Sequence, residues 1–231
     1  MNVVVLYGSE RHGTTRRLTE LFLSELGDAE VIEYCFPRDM DQACLGCAQC
    51  ILNTDGVCSH SEQVAPIVRS IREADVIVAS SAVYVMGMTG ALKTFFDHLA
   101  YRWLVHRPDP VMFGKVGVVI STGAGPSTGK VLRDIRQQFF IWGVPKTFTW
   151  GEAVGGGWDY MKPEKQAQLR HKAAKLAGNV STQVGRSRPG IKLRAVFGIL
   201  AFTQRHHLNP MKVEREYWLE QGWTQGKRPW D

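Results

Sequence analysis

The chain has no long hydrophobic run. Its longest apolar stretch, AVFGILAF near the C-terminus, has eight residues, far short of the roughly 20 that cross a bilayer, so stable membrane insertion is not expected. The N-terminus shows no basic region followed by an apolar run and a small-residue cleavage site, which leaves a cytoplasmic location as the expectation. No helix-turn-helix, zinc-finger or RNA-binding signature accompanies the net charge of +6, and no nucleic-acid partner is expected. The excess charge is concentrated: from Arg186 onward nine Lys or Arg stand against four acids. Such a basic tail suits an acidic partner, an anionic surface or a phosphorylated substrate, and equally a solvated face.

What is present is an alternation of strand and helix signals over 231 residues that are 44% hydrophobic, enough for one α/β domain and an appendage. Strands are predicted at Val3 to Tyr7, Ala29 to Tyr34, Asp75 to Ser81, Lys115 to Thr122 and within PKTFTWGEA. Helices are predicted in TTRRLTELFLSEL, EQVAPIVRSIREA, TGALKTFFDHLAYRWL, STGKVLRDIRQQFFIWG (ended by Gly143) and KPEKQAQLRHKAAKLAGNVSTQV (opened by Pro163). Apolar rather than alternating strands, separated by helices, specify a parallel sheet covered on both faces. Right-handed crossovers make it doubly wound, with ligands beyond the carboxyl ends of the strands. Three loops at those ends are built for a ligand, those after strands one, three and four.

The first of them, GSERHGTT, joins a buried-strand run to a helix. Gly8 lets the backbone turn sharply, Ser9, Thr14 and Thr15 offer hydroxyl donors, and Arg11 a guanidinium fork. The helix behind it has apolar Leu18, Leu21, Phe22 and Leu26 at helical spacing, so the turn lies at a helix N-terminus, where free N–H groups favour an anion. It lacks both the Lys of a nucleoside triphosphatase loop and the three-glycine spacing of a dinucleotide fold, which points to a monophosphate. The second loop, SSAVYVMGMTGALKTFFDH (Ser80 to His98), offers small residues and Gly87 for close backbone approach. Tyr84, Val85, Met86 and Met88 give it polarizable contact, and Thr89 or Gly90 opens a helix whose Leu92, Phe95 and Phe96 pack inward. The third, STGAGPSTG (Ser121 to Gly129), is poor enough in side chains to let backbone approach a flat ring.

In these three loops the chain resembles the flavodoxin-like NAD(P)H-dependent FMN reductase family, over roughly the first 160 residues. GSERHGTTRRL is similar to that family's phosphate loop, SSAVYVMGMTGALKTFFDH to its Ser-Pro-Val-Tyr-x-x-x-x-Ser/Thr-Gly-x-Leu-Lys-x-Phe-x-Asp loop, and TGAGPSTG to its third flavin loop. Glu10 and Ala82 stand where the family usually has proline. The resemblance implies a five-stranded doubly wound sheet of order 2-1-3-4-5. It also implies that Ser9, Arg11, Thr14 and Thr15 hold the FMN phosphate, with His12 and Gly13 beside them in the cofactor site, that Val83, Tyr84, Val85 and Met86 line the isoalloxazine and ribityl chain, and that Thr122, Gly123, Ala124 and Gly125 close the other side. Redox chemistry then belongs to the flavin, and no catalytic acid, base or nucleophile is named. His12, His98, Tyr84 and Tyr101 could in addition touch substrate, and a structural role is the commoner one for each.

Four of the five cysteines, Cys44, Cys47, Cys50 and Cys58, lie in ACLGCAQCILNTDGVC. The C-x2-C-x2-C-x7-C spacing, its last thiol returned by a Gly-containing turn, can wrap a [4Fe–4S] cluster. Structural zinc usually takes two separated C-x2-C pairs and ranks lower, and a reducing cytosol disfavours disulfides. The spacing resembles that of the iron–sulfur flavoproteins, although cluster-free flavodoxin-like reductases carry similar cysteines. Without a cluster, the segment reads as a substrate-facing thiol loop.

The division expected is a flavodoxin-like FMN-binding domain over residues 1–184 and a helical C-terminal extension over 185–231. In the extension GIKLRAVFGILAFTQRHH has apolar Ile191, Ala195, Ile199 and Phe202 near helical spacing, and VEREYWLEQGW reads as a short helix stopped by Gly222. Trp218, Trp223 and Trp230 are costly to expose, so the tail is expected to pack on its own domain or on a second subunit of a homodimer, near the flavin opening, with an interfacial membrane helix as the alternative. Three functions remain open. One is an FMN-dependent oxidoreductase moving electrons from NAD(P)H to a flavin, quinone or other small acceptor; another is an iron–sulfur flavoprotein served by a ferredoxin-like protein; the third is a non-enzymatic flavin-binding regulatory module.

Overall fold

The computed structural model describes residues 1–53, 58–125 and 127–231. Five parallel strands, β1 (Asn2–Tyr7), β2 (Glu30–Cys35), β3 (Val76–Ala82), β4 (Val116–Gly123) and β5 (Lys146–Ala153), form one sheet of order β2-β1-β3-β4-β5. In register Val5 pairs with Glu33 and Val78, Val78 with Val118, and Val118 with Phe148. Eight α-helices are seen among the described residues: α1 (Thr14–Ser24), α2 (Gln49–Leu52), α3 (Ser61–Glu73), α4 (Gly90–Asp97), α5 (Thr128–Ile141), α6 (Pro163–Ser181), α7 (Ile191–Arg205) and α8 (Lys212–Glu220).

Side-chain alternation along the three central strands divides the core into two layers. Val4, Leu6, Ile77, Ala79 and Val119 face α3, α4 and α5, with Phe95, Phe96, Phe139 and Trp142 filling that layer. Val3, Val5, Val76, Val78, Val118 and Ile120 face α1 and α6, against Leu18, Phe22, Leu169 and Ala173. β2, at the sheet edge, leaves Val31 and Ile32 exposed. Gly143 and Gly222 end α5 and α8 with φ of 96° and 73°, the left-handed position that closes a helix cheaply only with glycine.

Two expectations need correction. The helix after β3 ends at Asp97, and a single 3-10 turn over Ala100–Arg102 replaces its last predicted turns. In α7 the stripe Ile191, Ala195, Ile199, Phe202 faces outward, with Ile191 89% and Ile199 64% exposed; Leu193, Phe197 and Ala201 are the buried residues. A helix this apolar carries two stripes with helical spacing, and only the hydrophobic partners on the domain decide between them. Those partners are Leu104 and Phe113, which form a third core cluster with Phe197, Trp218 and Trp223. The tail thus packs on its own chain. Among the described residues no helix is long and apolar enough to cross a membrane.

Candidate functional site

A cleft of about 840 Å³ opens at the carboxyl ends of β1, β3, β4 and β5, within the size range of small-molecule sites. Its floor is the turn from β1 to α1. Gly8 donates its N–H to Ser80 O at 2.8 Å, and a Cβ there would stand 2.2 Å from Thr89 Oγ1, so only glycine lets this turn nest against the loop after β3. Gly13 is the N-cap of α1 and supplies no side-chain cap; the first N–H groups of an 11-residue helix are therefore open to an anion. Ser9, Arg11, His12, Gly13, Thr14 and Thr15 all line the cleft. Thr15 Oγ1 lies 2.5 Å from Thr122 Oγ1, tying the floor to the loop after β4. Tyr7 lies beneath, its phenol donating to Glu33 at 3.0 Å with the Arg16 guanidinium 4.4 Å over its ring; burial and the Glu33 charge hold it protonated.

Of the residues expected after β3, Val83 and Tyr84 line the cleft, and Val85 and Met86 do not. Tyr84 and Gly87 exchange backbone hydrogen bonds at 2.9 and 3.0 Å across a two-residue turn, which places Val85 and Met86 at φ of 46° and 63° with their side chains exposed. A β-branched residue rarely adopts that conformation. At the end of β4 and just beyond it, Thr122, Gly123 and Ala124 line the cleft and Gly125 does not; Pro126 lies outside the described residues.

The wall that sequence reasoning missed follows β5. Val154, Gly156, Gly157, Trp158, Asp159 and Tyr160 line the cleft, as do Tyr7, Arg16, Arg17, Glu20, Ser80 and Ala82. Gly156 and Gly157 have φ of 81° and 98°, and this turn brings Gly157 within reach of Thr14. The Arg17 and Arg170 guanidinium groups lie 5.8 and 5.9 Å from the Trp158 ring centroid. The signal was present as GGGWDY directly after a strand, at the end of the sheet where ligands sit.

The cysteine segment leaves the carboxyl end of β2. Cys44 and Cys47 are exposed and Cys50 and Cys58 half-buried. Burial pushes the Cys50 thiol up, and the neighbouring Cys58, Cys44 and Cys47 add to it, so the other three sulfurs each lie within electrostatic reach of Cys50. A hydrogen bond from Ser59 brings Cys47 down. Cys58 Sγ is 3.2 Å from His98 Nδ1, and His98 Nε2 is 2.9 Å from Gln42 O; His98, 1% exposed, packs behind this segment and is absent from the cleft lining. Tyr101 is likewise outside the lining, and so is every residue of the extension that was expected near the flavin opening. The Gly-containing turn at 54–57 lies outside the described residues. Among the described residues no three His, Cys, Asp or Glu converge as a single-ion site requires, whereas a cubane cluster takes its thiolates from four corners.

A sheet of order 2-1-3-4-5, with an anion cradle after β1 and a flat-walled cleft beside it, defines a flavodoxin-like flavin-binding protein. The sequence pattern of the family described as NADPH-dependent FMN reductase matches residues 1–154, and the chain belongs to that family; it is an FMN-dependent oxidoreductase. It is 25% identical over 230 residues to an iron–sulfur flavoprotein of Archaeoglobus fulgidus, covering 96% of this chain and 99% of that one. An iron–sulfur flavoprotein of Methanocaldococcus jannaschii is 30% identical over 152 residues, 61% of this chain and 72% of that one. Among solved structures, the apo form of an NADH:FMN oxidoreductase superposes with a TM-score of 0.54 at 20% identity, over 82% of this chain and 95% of that one.

Proposed function

We propose that the protein is an iron–sulfur flavoprotein, an oxidoreductase holding FMN in the cleft and a [4Fe–4S] cluster on Cys44, Cys47, Cys50 and Cys58. The observation that carries this is the placing of Cys44, Cys47 and Cys58 within electrostatic reach of Cys50, in a chain that matches such a relative over nearly its whole length. Residues 1–184 form the FMN-binding domain in this reading and residues 185–231 a helical extension. FMN supplies two-electron and one-electron redox chemistry, and the cluster supplies single-electron exchange.

The chain's own residues set the terms. The uncapped N-terminus of α1, with Ser9, Thr14, Thr15 and Arg11, neutralises the phosphate. Gly123 leaves backbone where a Cβ would stand 2.7 Å from Ser127 Oγ, and Gly157 allows the left-handed turn at φ 98° on the far wall. Tyr84 forms one edge of the opening, and the glycine turn before Trp158 closes the far side. Exposed Cys44 and Cys47 put the cysteine segment where an acidic, ferredoxin-like protein can reach it, and the basic tail favours such a partner. The electron acceptor is a small molecule, with NAD(P)H as the alternative donor, in a cytoplasmic homodimer.

Protein purified without oxygen should contain about four irons per chain with a broad brown absorption; below one iron after reconstitution, the cluster is refuted. Reduced ferredoxin and NAD(P)H, added separately while flavin bleaching is followed, decide the donor. Replacing Arg11 with Ala should weaken FMN by about 1.5 to 3 kcal/mol, the worth of a charge-assisted bond, and an unchanged affinity by calorimetry removes Arg11 from the phosphate site.

A further inference from the structure

The segment Leu104 to Asp109 lies between the C-terminal extension and the cysteine segment, and both sides bond to it. From the extension, Gln204 Nε2 donates to Val105 O at 3.2 Å, Trp218 Nε1 to His106 O at 2.7 Å and the Tyr217 hydroxyl to Pro108 O at 2.7 Å. His106 Nδ1 meets the buried Glu214 carboxylate at 2.5 Å. Three backbone carbonyls and one side chain of a short irregular segment are thus fixed by α7 and α8.

On the other side Arg107, 6% exposed, reaches the end of α2. Its guanidinium donates to Asn53 O at 2.8 Å, to Ile51 O at 3.4 Å and to Cys50 O. These carbonyls are left over at the C-terminus of a four-residue helix, where no further turn exists to bond them. A helix so short does not hold itself together, and this one carries Cys50. The planar five-donor fork of an arginine matches several carbonyls at once, which a lysine cannot do.

We infer that the C-terminal extension is a brace for the cysteine segment, acting through Arg107, which positions Cys50. The segment is anchored at its other end by His98 between Gln42 and Cys58, so α2 is the part whose order depends on the extension. The inference rests on the iron–sulfur reading only where iron is measured; the mechanical coupling is a property of the protein itself.

The test uses two single variants and their combination in the full-length protein. R107K keeps the charge and loses the fork, and W218F keeps the ring and loses the N–H to His106 O. Hydrogen exchange is followed at the amides of Ile51, Leu52 and Asn53, which bond back to Ala48 and Gln49. Both variants should accelerate exchange there, R107K by about tenfold or more and W218F by a smaller factor, while FMN affinity stays the same. Because the extension acts through Arg107, W218F should add nothing further in the R107K background. In reconstituted protein the EPR signal of the reduced cluster should broaden and iron loss to a chelator quicken in the same order. Unchanged exchange in both variants, or additive effects in the double variant, overturns the brace. Wild-type protein that binds no iron overturns the cluster and leaves the exchange result to decide the brace.

Discussion

Gly8 is the residue on which the cleft floor turns. Its missing Cβ would stand 2.2 Å from Thr89 Oγ1 and 3.1 Å from Leu92 Cβ, so G8A forces the β1 and β3 loops apart. Overpacking of this kind costs about 1–3 kcal/mol, and here it also displaces the hydroxyls of Ser9, Thr14 and Thr15 that line the cleft. The expected outcome is a lower melting temperature together with weaker FMN binding; adding T89A, which removes the nearest atom, should restore part of both. FMN titration of the single and double variants checks this, and a double variant no better than G8A would place the clash elsewhere. Residues of this loop were legible in the sequence because strand, turn and helix are contiguous there, and Ser9 to Thr15 reach the cleft by local geometry alone. Val85, Met86 and Gly125 follow the same loops without lining the cleft, because a two-residue turn with positive φ sends the first pair outward, a detail that side-chain chemistry does not announce.

At the scale of elements, β5 ends in an ionic clasp that fastens it to α6. Glu152, 6% exposed, accepts from Trp150 Nε1 at 3.0 Å, from Lys165 at 3.1 Å and from Lys172 at 2.5 Å. Burial pushes its carboxyl up, but the bonds from Lys172, Trp150 and Lys165 outweigh it and the carboxyl sits below its ordinary value of 4.5. A carboxylate lowered on folding contributes stability that is present above the unfolded value and is lost as pH falls through the folded one. Glu152→Gln should therefore lower stability at neutral pH by about 1–2 kcal/mol, discounted for the solvent around both lysines. The gap from wild type should narrow on acidification below about pH 4.5. Urea unfolding at pH 7 and below pH 4 measures it; a gap constant with pH would mean that the glutamate is not ionised in the fold. The strands themselves were legible from their apolar runs, and α6 from Pro163. α7 was legible as a helix but not in orientation, because its residues supply two apolar stripes and the choice lies with Phe113 and Leu104, far away in sequence.

Across the whole molecule the third core cluster decides whether the extension folds as part of the domain. Phe197 is fully buried, with ring centroids of Trp218, Trp223 and Trp230 at 4.9, 5.3 and 5.1 Å and that of Phe113 at 5.5 Å. Lys192 and Arg194 lie over Phe140 and Trp230, so part of the basic excess covers aromatic surface. Phe113 is also packed against Gly143 at the end of α5, which makes this cluster continuous with the domain. Wild-type protein should accordingly unfold in one transition, with tryptophan fluorescence and far-ultraviolet circular dichroism coinciding. Phe197→Ala removes the ring at the centre and should cost about 3–5 kcal/mol. Because that loss falls almost wholly on the extension, the variant should lose coincidence: fluorescence, to which Trp218, Trp223 and Trp230 contribute three of the seven tryptophans, begins to change at lower temperature than the helical signal of the sheet domain. FMN should remain bound through the first step, since no residue of this cluster lines the cleft. A variant whose two signals still move together, with FMN released in the same step, would show instead that the extension and the flavin domain are a single cooperative unit.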